Sequence, residues 1–113
     1  MAGTATAAGL VSVVATLTLA FGAVGAAAVH AQRLSSAADG AALAAADAAS
    51  GAVSGVPCER AGRVAAEGAF EVVSCEVEGI IATVRVAGSF GPIPATAIAR
   101  AGPPPGQTIV SGR

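Results

Sequence analysis

Only a few side chains in this sequence could carry nucleophilic, metal or proton-transfer chemistry. His30 is the only histidine, and Cys58 and Cys75 are the only cysteines. A catalytic cysteine or serine needs a base within hydrogen-bond reach, and a catalytic histidine needs a group to orient it. His30 lies at the end of an apolar stretch, far in sequence from both cysteines and with no acid beside it. It reads as an interfacial helix residue. Two cysteines and one distant histidine do not complete a four-ligand zinc site, and no two acids sit in a context that would raise a carboxyl pKa. The sequence also lacks a P-loop, and Gly22 and Gly25 lie inside an apolar run rather than in a phosphate cradle. No catalytic, cofactor-binding or metal-ligating residue is expected, and no cofactor or small-molecule substrate. The chain is read as a non-enzyme. The cysteines fit a different role. A Cys58–Cys75 disulfide would staple a domain too small to hold itself by its core, contributing about 3 kcal/mol on the chain-entropy model. The alternative is two buried free thiols.

The elements that must place these residues follow from composition. The chain has 113 residues, 54% of them apolar but only 3% aromatic, so its hydrophobicity comes from small aliphatic side chains. Its formal charge of −1 gives no field able to hold nucleic acid or anionic lipid heads, so neither is an expected partner by charge. No charged residue occurs from Met1 to Val29, and Gly9–Val29 is long enough to cross a hydrocarbon layer of roughly 30 Å as a helix. That stretch reads as a transmembrane span at about residues 9–29. The competing reading is a signal peptide cut near Ala31, because Val29-His30-Ala31 has small residues at suitable spacing. Against cleavage, the first residues carry no Lys or Arg, and the apolar run exceeds the usual roughly 7–15 residues. His30 and Arg33, the basic groups nearest the span, would place the C-terminal part inside. The paired cysteines favour an outward, oxidising location.

Beyond the span the alanine-rich run His30–Ser50 continues as helix, interrupted only by Gly40. Its small side chains offer a surface to a neighbouring helix, as do Gly22, Gly25 and Ala26 within the span. Gly51–Pro57 reads as a linker. A short helix then starts at Cys58, with Ala61, Val64, Ala65 and Gly68 on one face and Glu59, Arg63 and Glu67 on another. Phe70–Val77 and Ile80–Ala87 read as a hairpin turning at Glu78-Gly79. Ile93–Ala101 alternates as a third strand, and Gly102–Arg113 has no periodic pattern and reads as disordered. The expected architecture is α+β. It comprises a membrane-spanning, alanine-rich helix over 1–50, a linker over 51–57, a small head over 58–101 and a tail over 102–113. The head is one short helix with a three-stranded antiparallel meander.

These residues carry a family resemblance. The apolar helix opening Gly3-Thr4-Ala5-Thr6, followed by Arg33-Leu34-Ser35-Ser36-Ala37-Ala38-Asp39-Gly40-Ala41-Ala42-Leu43-Ala44-Ala45-Ala46, resembles the TadE/TadG-like Flp pilus-assembly proteins. Cys58-Glu59-Arg60-Ala61 and Val73-Ser74-Cys75-Glu76-Val77 are similar to segments of TadE-like proteins of high-GC bacteria encoded beside secretion ATPase and helicase genes. The resemblance extends to about Ala101. It implies a pilin-like part in the bacterial plasma membrane, single-pass with its head outside, acting as a minor pilin or as a pilus or secretion assembly factor. Its implied partners are pilin-like or secretion-system membrane proteins, or further copies of itself. Arg33, Asp39 and Leu43 are the motif positions carried over. Prepilin peptidase substrates usually have a glutamate at the fifth position after the glycine. Here the fifth residues after Gly3 and Gly9 are Ala8 and Val14.

Overall fold

A computed structural model describes residues 2–103. The elements are α1 (Ala2–Ser50), α2 (Pro57–Glu67), β1 (Glu71–Glu78), β2 (Ile81–Phe90) and β3 (Ile93–Ala101). The α+β architecture expected from the sequence is therefore present. Most of the expected tail, residues 104–113, lies outside the described residues. The chain divides into two compact units, one through Ala31 and one from Gln32 onward.

In the first unit α1 is helical throughout, and residues 3–29 are all exposed. Three hydroxyls on this apolar helix bond back to the preceding turn. Ser12 donates to the Ala8 carbonyl at 3.0 Å, Thr16 to Ser12 at 2.9 Å and Thr18 to Val14 at 2.9 Å. Such back-bonding pairs the hydroxyl without help from solvent, which lets Ser and Thr sit on a helix in an apolar medium.

The second unit is built on the rest of α1. Leu34, Ala38, Ala41, Ala42, Ala45 and Ala46 recur at three- and four-residue intervals and are buried in one stripe. The alanine face that the sequence offered to a neighbouring helix is thus covered here by the chain's own sheet and α2. Gly51, at φ +83°, ends α1: its amide donates to the Ala48 carbonyl at 3.2 Å and the Ala52 amide to Asp47 at 2.9 Å. These are the paired bonds of a Schellman cap, for which glycine supplies the left-handed residue. Gly51–Val56 connects α1 to α2 inside this unit rather than dividing two.

Helix α2 starts at Pro57, where a fixed φ and a missing N–H cost nothing. Ala61 and Ala65 face the core, with Val64 half-buried beside them. Gly68, expected on the same face, is instead the exposed cap residue of the helix. The left-handed position falls one residue later, on Ala69 at φ +64°. The Phe70 amide reaches the Ala65 carbonyl at 2.9 Å and the Ala69 amide reaches Ala66 at 2.9 Å, a second Schellman cap.

The sheet has order β1-β2-β3, antiparallel throughout. The first turn is Gly79-Ile80, since Glu78 pairs with Ile81. Only its first residue has positive φ, at +61°, as in a type II′ hairpin. The turn thus falls one residue later than the Glu78-Gly79 expected. β2 runs on past the expected Ala87 to Phe90, and Gly91-Pro92 closes the second hairpin, with Gly91 at φ +59°. The inward face carries Val72, Cys75, Val77, Ala82, Val84, Val86 and the alanines at 95, 97, 99 and 101. A bulge at Val73 restores this alternation, because the register skips from Val72 to Ser74.

Candidate functional site

Two features of this chain could act on something outside it: the apolar surface of the first unit and the solvent face of the head. The first is continuous. Leu10, Val11, Val13, Val14, Leu17, Leu19, Phe21, Val24 and Val29 are all large, apolar and more than half exposed. Contiguous apolar surface on this scale marks contact with a membrane or a partner. α1 is the one helix among the described residues long and apolar enough to cross a membrane, and a signal sequence would meet the same test. Gly22, Gly25 and Ala26 share one side of it, and a Cβ added at Gly22 or Gly25 would meet nothing within 4 Å. His30, at the end of this unit, is half-buried.

On the head the cysteines are joined. Cys58 at the start of α2 bonds Cys75 in β1, with a Cα–Cα distance of 5.9 Å across a separation of 17 residues. The bond clamps α2 over β1. The loop leading into α2 is held by a contact that the sequence did not reveal. Arg60 Nε donates to the Ser54 carbonyl at 2.9 Å, and Nη2 donates to the same oxygen. Gly55, at φ +126°, lies beneath this side chain, and a Cβ there would come within 2.9 Å of Arg60 Nε. Arg60 gave no signal in the helical charge pattern because its partner is a backbone carbonyl.

Arg33, Asp39 and Leu43 are exposed on α1. At about 100° per residue Asp39 and Leu43 are about 40° apart, while Arg33 is about 120° round from Asp39. They do not gather into one site. On the outer sheet face Glu76, Thr83 and Arg100 stand in register across the three strands, and with Glu78 and Ile81 they line a shallow groove. Glu76, Glu78 and Arg100 are exposed, and the row reads as a solvated face.

Among the described residues no group of three or more His, Cys, Asp and Glu gathers to hold a metal. Comparison with protein-family models, curated proteins and solved structures finds no match, so the functional argument rests on the chain's own residues.

Proposed function

We propose that this chain is a membrane-anchored, TadE-like minor pilin or pilus/secretion assembly factor that works by packing its helix against other membrane proteins. The observation that carries this reading is the apolar stretch of the first unit, whose residues 3–29 carry no charged side chain and are all exposed. Such a surface is stable in a bilayer and costly in water. The back-bonded hydroxyls of Ser12, Thr16 and Thr18 add support, because each is satisfied without solvent. The disulfide favours a head on the oxidising side of a bacterial plasma membrane. The chain supplies protein contacts rather than catalysis.

Cross-linking in membranes tests the packing role. Gly22→Leu together with Gly25→Leu should weaken association with partner helices or further copies, while the Cys58–Cys75 bond still forms. Unchanged association in that double variant would overturn the assigned packing surface.

A second reading is favoured by a separate observation. The second compact unit begins at Gln32, and its first core residue is Leu34. Cleavage after Ala31 would therefore leave the head's core whole and release a disulfide-stapled binding module. On that reading the apolar helix serves only as a targeting segment.

A further inference from the structure

The head holds an apolar tip at the end where the polypeptide enters it. Within the second unit α1 and β2 run in opposite directions along one another. The Leu34 side chain lies 3.5 Å from where a Cβ on Gly88 would stand, and Leu43, Ala46, Asp47 and Ser50 line one groove with Ile80, Ala101 and Gly102. The lengths agree, since Leu34 to Ser50 spans about 24 Å of helix and Gly88 back to Ile80 about 26 Å of strand. The Gly91-Pro92 hairpin is therefore at the Gln32 end of the head, and the Gly79-Ile80 hairpin is at the other.

The two ends differ in chemistry. From Val86 to Ala99 there is no charged residue, a run that includes Phe90, Gly91, Pro92, Ile93 and Pro94. Ile93 is 61% exposed, and Phe90, its cross-strand partner, is 37% exposed. The opposite end carries Glu76, Glu78 and Arg100. The nearest sheet charge to the apolar tip is Glu71, in register with Ala87. That places it three strand positions, or about 10 Å, short of Phe90. An uncharged projection of this depth matches the roughly 5–10 Å by which interfacial elements enter the headgroup and acyl boundary.

We infer that the Phe90–Ile93 hairpin tip is a second membrane contact, inserting into the interfacial layer of the bilayer that holds α1. The inference rests on the membrane reading proposed above. Given that reading, covalent continuity alone keeps Gln32 a few residues from the end of the span, and the tip shares that end of the head. Arg33, exposed at the same end, can reach lipid phosphates with its long stem while the tip enters the apolar side.

The chain has no tryptophan, so one introduced tryptophan reports its own depth. The full chain is reconstituted in vesicles containing phosphatidylcholine brominated at defined acyl positions. Three variants are compared, Ile93→Trp, Ile80→Trp and Leu17→Trp, each with the Cys58–Cys75 bond verified by non-reducing mobility to show that the head has folded. Ile93→Trp should emit at shorter wavelength and lose most of its intensity to bromine near the headgroups, whereas Ile80→Trp should be unaffected. Leu17→Trp should be quenched by deep bromines. Quenching at Leu17 with none at Ile93 would overturn the hairpin contact alone. A blue shift at Ile93 without bromine quenching would also overturn it, in favour of a protein contact. No quenching at Leu17 would remove the membrane reading and this inference with it.

Discussion

Gly88 and Phe70 show how one residue can set a local packing solution. The aromatic ring lies where a side chain on Gly88 would be: a Cβ there would stand 2.6 Å from Phe70 Cε1 and closer still to Cδ1. Glycine in a strand interior ordinarily weakens it, and here the gap lets the ring lie against the backbone. Gly88→Ala should destabilise the head by about 1–3 kcal/mol through overpacking, read as a lower denaturant midpoint. Adding Phe70→Leu should recover part of the loss, and a Gly88→Ala variant of unchanged midpoint would contradict the packing. Ala69 is the converse case, a left-handed residue with a side chain that strains it. Relief of roughly 1 kcal/mol of that strain is offset in part by a freer unfolded chain, so Ala69→Gly should give a small net gain in stability. A loss would mean that the methyl group packs usefully. Neither position was legible in the sequence. Gly88 fell in the loop expected between Ala87 and Ile93, and Gly68 was placed with Ala61, Val64 and Ala65 on the apolar face of the short helix, with no left-handed residue expected at Ala69.

At the scale of elements, periodicity carried most of the information. The apolar run predicted a helix, and alternation predicted three strands in the order found, because both signals are local. The ends of β1 and the start of β2 fell one residue from the expected positions, and β2 ran three residues further than expected because Gly88 continues the strand. The bulge at Val73 was hidden because two adjacent valines satisfy either phase of alternation. The role of the alanines at 38, 41, 42, 45 and 46 was not legible either. Small residues permit close approach by any partner, and sequence alone does not say whether that partner is another helix or the chain's own sheet. The buried stripe gives a sharp expectation: Ala42→Asp, which places an unpaired charge at a fully buried site, should prevent the head from folding. Leu43→Asp, one residue along on the exposed face, should leave it folded. Protease resistance of the head separates the two outcomes. The disulfide acts between elements, tying α2 to β1. Replacing Cys58 and Cys75 with serine should cost about 3 kcal/mol, measured as a lowered denaturant midpoint against the oxidised chain. An equal midpoint would remove the staple from the account.

At the scale of the whole molecule, one chain combines a first unit whose residues 3–29 are all exposed with a head that has its own core from Leu34 onward. The head adds an uncharged hairpin tip on which Ile93 is 61% exposed. That combination supports anchoring and contact as the work of the molecule. The central claim is that the apolar helix stays attached and holds the head at a membrane. Fractionation of cells carrying a C-terminally tagged chain, with sequencing of the mature N-terminus, tests it most directly. The account predicts tagged protein in the membrane fraction with an N-terminus that retains residues 9–29. Soluble protein in the supernatant beginning near Gln32 would contradict it and assign the helix to targeting alone.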